Sequence, residues 1–185
     1  MRAGLVAPLA VIVCPLILVH TPLFLPHPPP PEAAVVFLTD GQFRITDDDG
    51  TSRDSSAHAG TVDFGSAPIV HRTANVGDET AGVLTVEVFA RPPARGPVPS
   101  PPGEVLLENE MVFIFRAVAQ PGHAVRIPGT APSVVIALDG GVVSLDGSDR
   151  PIERGGACWC EAETCEIRSR GGSPFEAIVV TLKPR

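Results

Sequence analysis

The sequence predicts an all-β chain made of two copies of one small fold. Three observations lead there. The chain has 185 residues, 44% of them apolar, with 21 Pro and 18 Gly scattered between short apolar runs. That punctuation suits strands joined by turns, and no stretch carries a sustained helical apolar period with caps at both ends. The second half also repeats the first. Val35-Val36-Phe37-Leu38-Thr39-Asp40-Gly41 returns as Val134-Val135-Ile136-Ala137-Leu138-Asp139-Gly140, with the glycines 99 residues apart. Further on, Val76-Gly77-Asp78 with Val83–Val88 answers to Arg170-Gly171-Gly172 with Ala177–Leu182, the glycines 94 residues apart. Such a period is too long for a solenoid unit and matches a small domain.

Taken in order, the chain opens on Arg2 and an uncharged stretch from Ala3 to Pro26. This resembles a signal peptide or spanning segment, but Pro8, Pro15, Pro22 and Pro26 interrupt it and no small-x-small cleavage site follows. Val13 before Cys14 argues against a lipoprotein. The repeat offers another reading: Met111–Phe115 shifted by the 99-residue spacing falls on Ile12–Leu16, where the first copy needs its opening strand. The folded-strand reading is preferred and favours a cytoplasmic protein. The alternative is secretion, or membrane anchoring through residues 3–26.

Strands are expected at Ala34–Thr39, Gln42–Thr46, Thr61–Phe64, Val70–Thr73 and Val83–Phe89, with hairpin turns at Asp47-Asp48-Asp49-Gly50 and Asp146-Gly147. The aspartate run lacks the alternating ligands and distal Glu of a calcium loop. Arg91–Gly103 carries six prolines in thirteen residues and reads as an extended spacer. The expected organisation is a hydrophobic segment over 1–30, a first domain over 31–90 (or from near residue 9), a linker over 91–103 and a second domain over 104–185.

A net charge of −7 argues against nucleic acid, and a membrane enters only if the N-terminal segment is an anchor. Cys158, Cys160 and Cys165 cluster near the C-terminus, while Cys14 stands apart. Three clustered cysteines cannot form a closed set of disulfides, so no disulfide framework is expected. Cys158 and Cys160 share one strand face. Buried filling is the favoured reading; a redox pair, or a soft site for Cu(I) or Zn, stays open.

Gly60-Thr-Val-Asp-Phe64 leads through Pro68 to His71-Arg-Thr-Ala-Asn75, followed by Val76-Gly77-Asp78. In the second copy Gly155 leads to Cys165 and Ser169, where the first has His71 and Asn75. This resembles the second signature segment of the cupins, G-x5-P-x-G-x2-H-x3-N, and Asp40-Gly41 and Asp139-Gly140 resemble the turn ending the first, G-x5-H-x-H-x3/4-E-x6-G. The resemblance spans roughly Val35 to Leu182. It implies two tandem cupin-type jelly-roll barrels joined by the Pro-rich linker, a degenerate bicupin with any site inside its barrels.

Metal-binding cupins use the two His and the Glu of the first segment and the His of the second, for Fe, Mn, Ni, Cu or Zn. Counting back from Gly140 puts Ser133 at the Glu position and Ile127-Pro128-Gly129 across the His-x-His region, and Cys165 replaces the last His. Counting back from Gly41 puts Ala34 at the Glu position and Pro29 near the second His. The resemblance therefore leaves a residual divalent transition-metal site in the first copy, from His71 with His27 or His20. Against it stands a His71 that hydrogen-bonds within the barrel while Asn75 holds the turn.

His58 reads as solvated, His123 as a residue at the mouth of the second barrel, and Trp159 as alternating away from the cysteines. A Cys165–His71 nucleophile would have to be assembled across both copies. No phosphate loop, nucleophile elbow or H-E-x-x-H helix is present. The expectation is a non-catalytic cupin-like protein with eroded metal sites and no cofactor, binding a small molecule or a protein partner. The alternatives are a metal-dependent enzyme of dioxygenase or isomerase type around His71, and a structural or storage-type bicupin. The resemblance also implies homodimers formed through barrel edges.

Overall fold

Strands of four to eight residues, most of them rich in apolar residues, make up the fold. The computed structural model describes residues 11–18, 32–66, 71–88, 100–128, 131–145, 147–160 and 164–183, and no helix occurs among them. The first half contributes β1 (Val11–Leu18), β2 (Glu32–Phe37), β3 (Gly41–Asp47), β4 (Ser52–Ala57), β5 (Val62–Ser66), β6 (His71–Asn75) and β7 (Ala81–Val88). The second contributes β8 (Glu104–Glu108), β9 (Val112–Ala119), β10 (Ala124–Pro128), β11 (Ser133–Ala137), β12 (Gly141–Leu145), β13 (Ser148–Ile152), β14 (Ala157–Cys160), β15 (Thr164–Arg168) and β16 (Phe175–Leu182). The apolar pattern gave no sign of β4, because its residues are exposed along nearly the whole strand.

No sheet mixes the two halves. The first half forms β1-β7-β2-β5 and β4-β3-β6; the second forms β8-β9-β16-β11-β14 and β10-β15-β12-β13. Replacing β1, β7, β2 and β5 by β9, β16, β11 and β14 converts one large sheet into the other, with β8 added at an edge. The small sheets correspond in the same way, β4-β3-β6 to β13-β12-β15. Strand prolines confirm which strands are edges: Pro15, Pro128 and Pro151 lie on β1, β10 and β13, each at the rim of its sheet, where a missing N–H breaks no ladder.

The structure corrects the phase of the repeat. Gly60 donates its N–H to the Phe37 carbonyl as Gly155 does to that of Ala137, and the Leu38 N–H reaches Gly82 O as the Leu138 N–H reaches Glu176 O. Phe37 is therefore equivalent to Ala137, a shift of 100 rather than 99 residues. One residue matters, because side chains alternate between faces. Val35 packs inside the first barrel, whereas Val134 faces the opposite half; the true counterpart of Val35 is Val135, inside the second barrel.

The two large sheets pack face to face. Ala34, Val36, Leu84, Val86 and Val88 meet Ile114, Val134, Ile136, Ile178 and Val180 in one apolar layer, with Trp159 half-buried at its margin. Near this layer Arg116 donates from Nη2 to Gly60 O at 3.0 Å, and Arg154 donates to Leu38 O at 2.6 Å, so the second half holds two carbonyls of the first. Arg116 Nε lies 3.2 Å from Glu176, too poorly aligned for a hydrogen bond.

Candidate functional site

Two residues of the second signature segment act as loop caps. The Asn75 side chain accepts the Gly77 N–H at 3.0 Å and donates to Glu79 O at 2.7 Å. The Ser169 hydroxyl accepts the Gly171 N–H at 3.3 Å and donates to Ser173 O. The same positions, two and four residues on, are bound in both copies, so Asn75 and Ser169 play one role. Strand register sets Cys165, paired with Leu145, against Thr73, paired with Ile45, and not against His71. Gly60 and Gly155 both sit at positive φ, 79° and 75°, where a side chain is strained.

What lies between these caps differs. The inward residues of β16 are Phe175, Ala177, Val179 and Thr181, and with Phe113, Phe115, Ile127, Val135, Val143, Ile152 and Ile167 they fill the second barrel. Ser133, at the expected Glu position, is buried and bonded to Thr181 Oγ1 at 2.9 Å. Cys165, at the His position by sequence count, forms a disulfide with Cys160, their Cα atoms 6.1 Å apart. The filler reading of Cys158 and Cys160 is thus corrected: Cys160 is joined to Cys165, and of the three clustered cysteines only Cys158 is free. The bond also removes Cys165 from any thiol–imidazole pair with His71. Burial pushes the Cys158 thiol up, partly offset by the Arg150 charge. These residues do not fit a cupin metal set.

The first barrel is lined differently. The inward positions of β7 are Ala81, Val83, Thr85 and Glu87, and Glu87 is only 8% exposed. On the same inner surface Thr73 pairs with Ile45 and Asn75 with Phe43 across β6 and β3, while Asp63 pairs with Val35 and Gly65 with Ala33 across β5 and β2. Phe43, Ala81 and Val83 form the buried part, with Val35, Phe37 and Ala57 against them. Asp63 and Gly65 are exposed, so the inner face of β5 meets solvent, whereas in the second copy Cys160 is buried.

Glu87 escaped the sequence reading. Its signal was a lone charge on the inward phase of an otherwise apolar strand, Ala-Gly-Val-Leu-Thr-Val-Glu-Val, and that phase became readable only with the structure. His71 opens β6 in register with Asp47. His20 and His27 lie outside the described residues. Ala34, placed by counting at the Glu position, faces the other half instead, again because of the one-residue phase. Among the described residues, no group of three or more His, Cys, Asp or Glu is arranged to hold a metal. His58 is solvated beside Asp40 at 3.6 Å, and His123 is exposed with a ring nitrogen 3.2 Å from Pro121 O. The aspartate turn closes on itself: Gly50 takes φ 86°, and Asp49 accepts the Thr51 N–H at 2.8 Å.

No protein-family model matches the sequence, and no curated protein matches it. Solved structures do match in shape. YhaK from Escherichia coli superposes with a TM-score of 0.61 at 13% identity, over 100% of this chain and 90% of that one. AerE from Microcystis aeruginosa gives 0.63 at 11%, over 96% and 84%. A Cupin 2 conserved barrel domain protein from Leptotrichia buccalis gives 0.53 at 12%, over 96% and 80%. The chain has the cupin fold.

Proposed function

We propose that the chain is a bicupin whose second barrel is a filled structural body and whose first barrel binds a small molecule without catalysis. In this reading β1 to β7 form the first domain, residues 91–103 link it to the second over 104–185, and pairing of chains occurs through barrel edges. The observation that carries it is Glu87, a buried carboxylate on the inner face of one barrel at the position held by Thr181 in the other. Thr85, Thr73 and Asn75 add polar groups to the same wall. A small ligand rich in hydrogen-bond donors, such as an amine or polyol, suits that lining.

A second reading is a metal-dependent enzyme of dioxygenase or isomerase type in the first barrel. Glu87 favours it by adding an oxygen donor to the barrel that carries His71. Metal content per chain, by elemental mass spectrometry on wild type and His71→Ala purified without chelator, separates the two. Near-stoichiometric metal lost from the variant replaces the binding reading with the enzyme reading. No metal in either protein, together with a melting-temperature rise in a panel of small amines and polyols that Glu87→Gln removes, supports binding. No metal and no such rise leaves the structural or storage role.

A further inference from the structure

Corresponding rows of the two barrels end differently. In the second, Cys160, Ser133 and Thr181 stand side by side across β14, β11 and β16, and Cys165 closes over the end of that row from β15 in the opposite sheet. All four are buried. In the first, the same row holds Gly65, Ala33 and Glu87 across β5, β2 and β7, and Thr73 on β6 takes the place of Cys165. Gly65 is exposed and Thr73 half-buried, and a side chain at Gly65 would meet no atom within 4 Å of its Cβ. The edge that the disulfide closes in one barrel is therefore uncovered in the other. Glu87 lies two strands in from that edge, about 10 Å away at the strand spacing of a sheet.

We propose that the gap between Gly65 and Thr73 is the mouth of the first barrel, and that it admits an unbranched primary amine whose ammonium group binds Glu87. This rests on the reading of that barrel as a small-molecule binder, and it names both the entrance and the ligand class. Two features of the path select an amine over a polyol. Ala33, between Gly65 and Glu87, offers a methyl group, which suits an alkyl chain and gives a hydroxyl nothing to bond. Asp63, exposed in the next inner row of β5, puts a second carboxylate beside the entrance, which attracts a cation. Arg53, in the inward phase of β4, does not cancel that field, because Asp47 holds it at 2.9 Å. At the end of the path an ammonium on the Glu87 carboxylate makes charge-assisted hydrogen bonds. Glycine at position 65 sets the width, since an alkyl chain passes where a bulky side chain would stand.

The test is thermal unfolding of the full chain with n-pentylamine, its branched isomer neopentylamine, or glycerol. n-Pentylamine raises the melting temperature of wild type, neopentylamine does not, and Gly65→Phe and Glu87→Gln each lose the rise. Near-ultraviolet circular dichroism checks that the variants fold. Thr73→Phe narrows the same gap from β6 and decides the matter if Gly65→Phe does not fold. A full rise in folded Gly65→Phe or Thr73→Phe overturns the mouth and leaves the binding reading in place. Equal rises with the two amines overturn selection by width, and a rise with glycerol alone overturns the amine. No rise with any compound of the wider amine and polyol panel overturns the barrel as a binder, and the mouth with it.

Discussion

Along β16 the inward residues are Phe175, Ala177, Val179 and Thr181; along β7 the equivalent positions hold Ala81, Val83, Thr85 and Glu87. Opposite β16, β14 and β15 supply a disulfide; opposite β7, β5 supplies Asp63 and Gly65, and β6 opens on His71. One strand order thus carries one polar inner position on β16 and two on β7, one of them a carboxylate. The difference teaches that one strand order accepts a buried carboxylate, Glu87, where its copy holds Thr181. The apolar layer between the large sheets couples the stability of the two barrels.

That contrast can be broken in stages. The largest effect is expected from Val180→Asp, which puts an unpaired carboxylate between the sheets; destabilisation above about 4 kcal/mol, unfolding both barrels together, should appear in urea titration. Next, Phe115→Ala in the second barrel should cost about 3–5 kcal/mol, and Phe43→Ala in the first less, because Phe43 is buried on an inner surface that also carries the exposed Asp63 and Gly65. Equal costs would mean that the two interiors are packed alike. Reducing the Cys160–Cys165 bond, whose partners are 5 residues apart, should remove about 2 kcal/mol, read as a lower melting temperature under reductant.

Glycines give a finer comparison. Gly60→Ala meets positive φ plus Arg116 Nη2 at 2.9 Å, whereas Gly50→Ala meets positive φ and open space. Gly50→Ala should cost about 1–2 kcal/mol for the backbone alone, and Gly60→Ala measurably more. The smallest effect is a pH dependence confined to the first half. The Ala59 N–H beside Asp40, the Thr51 N–H beside Asp49 and the Arg44 guanidinium beside Asp54 each hold a carboxyl below its usual value. Groups with lowered pKa contribute stability above the unfolded value of 3.8 and lose it as pH falls through the folded one. Hydrogen exchange below about pH 4 should therefore loosen β3 and β4 before β12 and β13.

Much of the fold was legible. The strand pattern, the hairpin turns at Gly50 and Gly147, the paired glycines Gly60 and Gly155, and the paired caps Asn75 and Ser169 all follow from local chemistry: positive φ, side-chain hydrogen bonds and period-two alternation. The candidate site was not legible in the same way. Both faces of β7 and β16 are apolar enough to be buried, one inside a barrel and one against the opposite sheet, and alternation does not say which is which. A one-residue error in aligning Gly41 with Gly140 therefore exchanged interior for interface at Ala34.

The sequence by itself determined that this is a β protein made twice from one plan, because turns and alternation are local properties. Only the tertiary structure decided that Cys160 meets Cys165, that Glu87 faces inward, and that Ala34 and Val134 face the opposite half. Those facts depend on which strands face each other across a barrel, and that is fixed by packing between residues distant in the chain.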